Sequence, residues 1–400
     1  MAGIYVHVPF CKVKCNYCDF NSYENQDELV ARYFDAVIEE MRYHVDVMER
    51  LKIHSVYFGG GTPSYVDSKY ILNVLEFIYN NYQVATDAEI TLETNPGTLT
   101  KSKMLDYMIA GINRVSMGAQ STNETVLKQL GRIHTRDDLM NSLELVRQAR
   151  IRNVSVDLMF GLPLPMEMEN KETAMDEAWA QSLKDIVDMD VQHVSCYGFT
   201  PEKSTSLYQA VKRGEYQFCE EQQDRSMYAL ARKHLQKNGF SHYEISNFAK
   251  PGFESRHNLL YWNVQEYLGV GAGAHSFLRG SPGSHLQSYG KFRYENAKTI
   301  SDYCEAIEQK GKANGELVDI SKEEEMREYM MLGYRLLDGI SLQAFQERFS
   351  TDAAEKFKTE LTELQEKALV QHCKKKHRLG AFKLTEKGLD FANQVFMAFV

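Results

Sequence analysis

The stretch VHVPFCKVKCNYCDFN, residues Val6–Asn21, is the part of the sequence that decides the fold. It places Cys11, Cys15 and Cys18 on one short loop with the spacing C-x3-C-x2-C. Three thiolates can bind three corners of an iron-sulfur cube, and a cube held in this way keeps one iron without a protein ligand. The sequence therefore predicts a [4Fe-4S] cluster with one open iron near the amino terminus.

Two other interpretations of these cysteines stay open at this point. A structural zinc site usually has two pairs of cysteine or histidine ligands, whereas only three cysteines cluster here and His7 is not at a ligand spacing. The thiols could also be buried and inert, although lysine, asparagine and aspartate crowd the loop. The remaining cysteines are isolated and offer no local fourth ligand: Cys196, Cys219, Cys304 and Cys373.

The composition is that of a globular protein. The chain has 400 residues, 43% of them hydrophobic, which is enough for a large core and for two or three domains. The net charge is -9, and lysine and arginine are scattered except at Lys374, Lys375 and Lys376. This charge distribution argues against non-specific binding to nucleic acid.

The sequence also predicts the cellular compartment of the protein. No apolar run approaches the roughly 20 residues that span a bilayer, and no secretory signal pattern precedes the cysteine loop. Seven cysteines, an odd number dominated by one cluster, suit metal binding in a reducing compartment. We therefore expect a cytoplasmic protein that is not an integral membrane protein.

Short β-rich runs alternate with amphipathic helical patterns in the first half of the chain. The predicted strands are Ile4–Val8, Ser55–Phe58, Glu89–Glu93, Arg114–Met117, Val154–Leu158 and His193–Tyr197. The predicted helices are Leu29–Leu51, Lys69–Tyr82, Lys101–Ala110, Asn123–Leu130, Asp138–Ala149 and Lys171–Asp188. This order predicts an α/β unit over residues 1–201, a parallel sheet curved into a partial (β/α)6 barrel. Such a barrel carries its site at the carboxyl ends of its strands.

Two motifs follow predicted strands at that end. Gly59–Pro63 places three consecutive glycines after the second strand, where the backbone can approach a ligand closely. A glycine triplet alone, however, is often only a tight turn. Glu93 ends the third strand and offers a carboxylate at the barrel rim, although a solvated glutamate would give the same pattern.

The cysteine array, with the aromatic Tyr17 directly before Cys18, resembles that of the radical S-adenosylmethionine (SAM) superfamily. The segment YCDFNS, residues Tyr17–Ser22, resembles the coproporphyrinogen-oxidase-like branch of that superfamily. Within the branch the chain most resembles the haem chaperones, over nearly all of its length. The resemblance implies a [4Fe-4S] cluster on three cysteines, with SAM completing the coordination of the open iron.

The resemblance also implies a SAM site. Gly60, Gly61 and Thr62 lie in a segment similar to the one that binds the methionine amino group of SAM in this superfamily. Further positions match SAM-contacting positions of the related oxidase, some of which serve a second SAM there: Tyr5, Tyr17, Glu93, Gln120, Arg132 and Asp157. Arginine suits a carboxylate, and acidic residues suit ribose hydroxyls.

Residues 202–315 are predicted to form an α+β extension. Its segment RHNLLYW, Arg256–Trp262, contains an imidazole, an amide and two large aromatic rings. Such a surface suits haem, because flat rings contact the macrocycle and histidine ligates iron, although a histidine beside aromatic residues is often an ordinary core residue. The pattern H-N-x-x-Y-W resembles a family signature implicated in haem handling, which implies haem-related roles for its named positions: His257, Asn258, Tyr261 and Trp262.

A glycine-rich segment follows in the same extension. Leu268–Ser276 resembles no phosphate-binding loop, since no lysine follows it, but it is similar to a family segment near the cofactor cavity. His275 in this segment is a candidate second haem ligand, and a packed turn is the alternative.

Residues 316–400 are predicted to form a C-terminal winged-helix-like domain. Helical patterns at Glu323–Leu337, Leu342–Phe349 and Asp352–Ala368 precede a hairpin with Lys374–His377 at its tip and a last helix, Glu386–Phe399. Winged helices often bind DNA. The predicted recognition helix, however, carries glutamates that phosphates would repel: Glu360, Glu363 and Glu366. We therefore expect packing or a protein partner and no nucleic acid.

Three functions compete at this stage. The first is a haem chaperone that binds a [4Fe-4S] cluster, SAM and haem and passes haem to an acceptor protein, for which respiratory and membrane-associated proteins are candidates. The second is an oxygen-independent coproporphyrinogen III oxidase of porphyrin biosynthesis. The third is a radical SAM enzyme acting on another tetrapyrrole. The resemblance favours the first, because the oxidase has a further cysteine where Phe20 stands here and a long arm where only ten residues precede Cys11.

Overall fold

The structure is a computed structural model that describes residues 1–280, 282–288, 290–373 and 380–400. The predicted hairpin tip, Lys374–His377 with its three lysines, lies outside the described residues.

The strands are, in chain order, Ala2–Val8 (β1), Lys52–Gly60 (β2), Gln83–Thr94 (β3), Arg114–Gln120 (β4), Asn153–Phe160 (β5), Leu164–Pro165 (β6), His193–Gly198 (β7), Tyr216–Gln217 (β8), Ser241–Glu244 (β9), Asn247–Ala249 (β10), Glu266–Val270 (β11), His275–Arg279 (β12), Lys291–Glu295 (β13), Val318–Ile320 (β14), Ile340–Ser341 (β15), Val370–Cys373 (β16) and Ala381–Leu384 (β17).

The helices are Val30–Tyr43 (α1), Val45–Met48 (α2), Ser68–Asn81 (α3), Lys101–Ile109 (α4), Glu124–Gln129 (α5), Arg136–Gln148 (α6), Lys171–Asp188 (α7), Ser206–Lys212 (α8), Glu221–Lys237 (α9), Arg256–Trp262 (α10), Ile300–Lys310 (α11), Lys322–Gly333 (α12), Leu342–Phe349 (α13), Ala353–Lys356 (α14), Lys358–Glu366 (α15), Glu386–Asp390 (α16) and Ala392–Met397 (α17), and a 3-10 turn at Asp27–Leu29 precedes α1.

The parallel strands β1, β2, β3, β4, β5 and β7 lie side by side in that order. Helices connect them, so the predicted α/β partial barrel is confirmed. β4 is buried along almost its whole length, as expected for a parallel strand covered on both faces. The carboxyl ends of these strands meet at one rim of the barrel.

Further strands, most of them paired antiparallel, extend the sheet at both edges. β11 pairs in parallel with β1 and is followed outward by β12, β13 and β14, while β10 and β9 extend the β7 edge. The sequence analysis did not identify β11–β14, because these strands are short and the glycine-rich segment hides their alternation. Strands β11–β14 belong to the same sheet as the barrel strands. The predicted domain boundaries after residues 201 and 315 stay predictions.

The C-terminal part has its own core. β15, β17 and β16 form a small antiparallel sheet, and helices α12 to α17 bury a separate hydrophobic cluster around Phe345, Phe357 and Phe399. The order of helices and strands is the winged-helix-like one that the sequence predicts.

Three predicted helices are shorter or divided. The helix expected over Leu29–Leu51 breaks at His44, whose buried ring lies with Nε2 3.0 Å from the Tyr294 hydroxyl. The helices expected over Asp352–Ala368 and Glu386–Phe399 break at Phe357 and Phe391, which both leave helical backbone angles. In each case tertiary packing overrides a helical sequence pattern.

A buried carboxylate fastens the turn between β11 and β12 to the barrel. Glu40 on α1 accepts hydrogen bonds from the Gly271 amide at 2.9 Å, from the Tyr303 hydroxyl at 2.6 Å and from the Asn296 side chain at 2.6 Å. Burial raises its pKa from 4.5 to about 7, although the three donors favour the charged form. The turn is therefore held by a group that titrates near neutrality.

This raised pKa predicts a pH-dependent stability. The folded chain holds the Glu40 proton more tightly than the unfolded chain, so this contribution is complete below about pH 4.5 and is lost as pH rises through 7. Between pH 5.5 and 8 we expect a loss of about 2 kcal/mol in the free energy of unfolding, which Glu40→Gln removes. Urea unfolding of the wild type and of Glu40→Gln at several pH values measures this loss. If the free energy of unfolding changes with pH in the same way in the two proteins, this role of Glu40 is contradicted.

Candidate cofactor site

The cysteine loop follows β1 and is fixed by backbone hydrogen bonds. The Cys11 amide donates to the Tyr23 carbonyl at 2.9 Å, and the Tyr23 amide donates to the Pro9 carbonyl at 2.7 Å. The Asn16 amide donates to the Leu130 carbonyl at 2.9 Å, which ties the loop to the end of α5. All three cysteines of the loop are free thiols and partly exposed.

A chain of polar contacts joins two of the thiols across the barrel rim. Thr62 Oγ1 lies 3.4 Å from Cys11 Sγ and accepts a hydrogen bond from the Asn95 amide at 2.8 Å. Arg132 donates to the Asn95 side-chain oxygen at 2.8 Å and to Cys15 Sγ at 3.4 Å. The network therefore links Cys11 and Cys15 to side chains that follow β2, β3 and α5.

The thiols are also withdrawn from water. Burial raises the pKa of the Cys11 and Cys18 thiols above their usual value. Both are therefore protonated at neutral pH until a metal displaces their protons.

The glycine segment lies against this loop. The Gly61 amide donates to the Val8 carbonyl at 2.9 Å. A Cβ at Gly61 would lie 2.9 Å from the carbonyl oxygens of Val8 and Phe10 and 3.0 Å from Cys11 Sγ. Gly60 has φ +114°, and a Cβ there would lie 2.5 Å from the His7 ring. Glycine is required at both positions, because no other residue fits between the strand and the cysteine loop.

Glu93 faces the same space from the end of β3. It accepts hydrogen bonds from the Tyr57 hydroxyl at 2.7 Å and from the Gly60 amide at 3.1 Å. Withdrawal from water, with a smaller effect of the nearby Asp157, raises its pKa to about 7. Burial also raises the pKa of Asp157 on β5. The Ser116 hydroxyl donates a hydrogen bond to the Asp157 carboxylate at 3.3 Å.

These side chains surround one cavity of about 480 Å³ at the barrel rim. Of the residues that the sequence singles out, Cys11, Cys15, Cys18, Tyr17, Gly60, Gly61, Thr62, Glu93, Gln120, Arg132 and Asp157 all line it. Gln120 has φ +64°, a left-handed conformation uncommon for glutamine. The structure therefore brings together residues that are separated by up to 146 positions in the chain.

The donor set fits a cluster better than a single ion. Within the described ranges, no group of three His, Cys, Asp or Glu side chains is close enough together to hold one metal ion. The three thiols instead border a cavity with room for a larger group. Arg132 Nε is buried there and lacks a hydrogen-bond partner among the described residues, as expected where an anionic ligand is missing.

A second cavity, of about 370 Å³, adjoins the first and shares Phe20, Gly60 and Glu93 with it. Tyr5 lines this second cavity, with its hydroxyl 3.0 Å from His7 Nδ1. Among the predicted SAM-site residues, Gly60 and Glu93 line both cavities, whereas Tyr5 lines the second cavity and not the first.

His257 lies behind the second cavity, inside the fold. Its ring is almost completely buried, with Nδ1 2.8 Å from the Ser55 hydroxyl and Nε2 2.8 Å from the Tyr261 hydroxyl. Burial, with the nearby Arg114, lowers the pKa of His257 to about 3, so the ring is neutral. Ligation of a haem iron by His257 stays a prediction and would require one of these two contacts to break.

The other residues of this motif point in different directions. Tyr261 lines the second cavity and packs edge-on against Tyr267 at 4.6 Å between ring centres. Trp262 faces the C-terminal domain, where the Arg335 guanidinium lies 4.3 Å from the centre of its ring. The Asn258 amide is part of the helix cap, donating to Ser255 Oγ at 3.4 Å.

Several cavity residues were not predicted. Tyr57, Asn95, Ser116 and Tyr197 line the first cavity, and Tyr267 lines the second. Tyr57, Asn95 and Tyr197 lie at or near the carboxyl ends of parallel strands, and that position was the available sequence signal. Ser116 lies in the first half of β4 and carries no such signal.

Comparisons with known proteins agree with this geometry. The chain matches the radical SAM superfamily over residues 5–203 and the HemN C-terminal domain over residues 320–391. The solved structure of coproporphyrinogen III oxidase (HemN) from Escherichia coli superimposes with a TM-score of 0.83 at 21% identity, covering 100% of this chain and 89% of that one. Fold and cysteine site thus define a radical SAM protein.

The curated relatives narrow this class. The heme chaperone HemW of Bacillus subtilis is 31% identical over 401 residues, covering 100% of this chain and 99% of the relative. HemW of Haemophilus influenzae is 28% identical, covering 100% and 97%. The mitochondrial radical S-adenosyl methionine domain-containing protein 1 of Bos taurus is 33% identical, covering 86% and 76%. The chain belongs to the HemW family.

In the described part of the chain, every helix is too short or too polar to cross a membrane.

Proposed function

We propose that this protein is a cytoplasmic haem chaperone that binds a [4Fe-4S] cluster, SAM and haem and transfers haem to an acceptor protein. The observation that carries the proposal is the pair of adjoining cavities at one barrel rim. One is bordered by the three thiols, and the other is walled by aromatic rings. The similarity to HemW proteins over the whole chain supports it.

Cys11, Cys15 and Cys18 would hold the cluster, which when bound supplies redox-active iron and an open coordination position for SAM. Arg132 donates a hydrogen bond to Cys15 Sγ at 3.4 Å and so positions that sulfur. Thr62 lies against Cys11 and orients that thiol. These contacts preorganise the cysteine loop for binding the cluster.

The remaining residues of the first cavity would bind SAM. The backbone of Gly60 and Gly61 can approach the methionine part closely, and Arg132 suits its carboxylate. Asp157 and Glu93 suit the ribose hydroxyls. Both carboxyls have raised pKa values, so hydroxyl donors that replace lost water would stabilise their charged forms. Tyr17 and Gln120 complete the proposed contacts within this cavity, and Tyr5 would contact SAM from the adjoining second cavity.

Haem would occupy the second cavity, which is built from flat aromatic walls. Tyr261 from the H-N-x-x-Y-W motif forms one wall, and His257 holds its hydroxyl in place at 2.8 Å. Trp262 fixes the motif to the C-terminal domain through Arg335. In this proposal the motif serves the haem site as wall and support.

One sample tests the proposed function against the oxidase alternative. Oxygen-free, cluster-loaded protein is titrated with haem and, in parallel, incubated with SAM, a reductant and coproporphyrinogen III. We expect saturable haem binding with a defined Soret band and no protoporphyrinogen. Formation of protoporphyrinogen would establish the oxidase instead, and absence of haem binding would reject the chaperone.

A further inference from the structure

The second cavity is bordered by two histidines, His7 and His275. His7 is buried, and both of its ring nitrogens are occupied. Nδ1 lies 3.0 Å from the Tyr5 hydroxyl and Nε2 lies 2.7 Å from the Asn21 carbonyl oxygen. It has no free nitrogen to offer a ligand.

His275 differs from His7 and from His257 in the exposure of its side chain and in the contacts of its ring nitrogens. Its side chain is 56% exposed, and its nearest charged neighbour is Glu295, with Oε1 3.6 Å from Nε2. That distance is too long for a hydrogen bond. Among the described residues bordering this cavity, His275 is the histidine whose ring nitrogens remain available.

The position of His275 is well fixed, although its ring is exposed. It begins β12 and pairs with Glu295 on β13. The Asn296 amide donates to the Ala274 carbonyl at 2.9 Å, and the Gly271 amide is held by the buried Glu40 carboxylate. A ligand on such a rigid turn needs little ordering when it binds.

The same turn is joined to the cysteine loop. Asn21, three residues after Cys18, donates from its side-chain amide to the Ala272 carbonyl at 2.9 Å and to the Lys298 carbonyl at 2.8 Å. A change in the loop on binding the cluster can therefore reach the turn that carries His275.

We infer that His275 ligates the iron of haem bound in the second cavity, with Tyr261 and Tyr267 as its aromatic wall. The inference rests on the proposed function and names the iron ligand of that site. The neutral imidazole donates the lone pair of one ring nitrogen to the iron, and no electron is transferred. Glu295 is placed to accept a hydrogen bond from the other nitrogen after a small shift of the ring, which is the usual support for a metal-bound histidine.

The test is titration of oxygen-free protein with ferric haem, followed by the Soret band and by electron paramagnetic resonance. The proteins compared are the wild type, His275→Ala, His257→Ala and His372→Ala. His372 is an exposed histidine in the C-terminal domain, so its replacement is the matched control. We expect His275→Ala to weaken haem binding at least tenfold and to change the spectrum, and added imidazole to restore the spectrum. His372→Ala should behave as the wild type.

Each other outcome is decisive. Unchanged affinity and spectrum in His275→Ala overturn the inference while leaving the proposed function intact. Loss of the wild-type spectrum in His257→Ala alone assigns the iron to His257 and also overturns it. If the wild type itself binds no haem, the proposed function fails.

Discussion

Replacing Cys11, Cys15 or Cys18 with serine is expected to abolish the broad iron-sulfur absorbance of oxygen-free, reconstituted protein. Each thiol borders the same cavity, and a serine hydroxyl is a poor substitute for thiolate as an iron ligand. Since the cube would have only three protein ligands, the loss of one leaves two. The other four cysteines all lie in the described part of the chain, and none of them borders this cavity. We expect iron and sulfide content to fall to background in all three variants.

Cys219→Ser is the matched control for this experiment. Cys219 is also a partly exposed free thiol, but it lies away from the cavity, with its Sγ 3.5 Å from Gln223 Oε1. It should retain the full absorbance. Retention of a complete cluster in all three loop variants would contradict the assignment of the cysteines.

Gly61→Ala is expected to weaken SAM binding at least tenfold. The added methyl group would lie 2.9 Å from two carbonyl oxygens and 3.0 Å from Cys11 Sγ, so the glycine segment and the cysteine loop must separate. Overpacking of this kind costs about 1–3 kcal/mol, and about 1.4 kcal/mol corresponds to a factor of ten in affinity. Equilibrium binding of SAM to cluster-loaded protein measures the effect.

Gly290→Ala provides the control for the added methyl group, because none of the residues that the structure describes lies within 4 Å of the Cβ position there. It should bind SAM as the wild type does. Wild-type affinity in Gly61→Ala would show that the close approach of the two segments is not needed for SAM binding.

The fold was largely predictable because its signals are local. Strands such as Val154–Leu158 are short runs in which apolar and polar residues alternate. Helices such as Lys101–Ala110 have an amphipathic repeat, and the order of the two patterns predicted the barrel. The carboxyl ends of those strands also indicated where Glu93 and Asp157 would meet. The edge strands β11–β14 were missed because pairing across a sheet, rather than local pattern, defines them.

The surroundings of the histidines were not predictable from sequence. The family signature around His257 implied a haem-side ligand, whereas its aromatic neighbours alone also fitted an ordinary core residue. In the structure His257 is stacked on Tyr57 at 5.0 Å between ring centres and is buried. The hydroxyl of Ser55 that contacts its ring comes from 202 positions earlier in the chain. His275 stands in a glycine-rich segment that suggested a packed turn, yet its side chain is exposed at a cavity. Burial of a single side chain depends on distant partners that a local pattern does not contain.

The most direct test of the account is electron paramagnetic resonance of the reduced, oxygen-free protein, recorded with and without SAM. Three cysteine ligands leave one iron open, so added SAM should change the shape and position of the [4Fe-4S] signal in the wild type. A cluster signal that does not change when SAM is added, or a protein that contains one zinc ion and no iron, would contradict the assignment of a [4Fe-4S] cluster with one open iron.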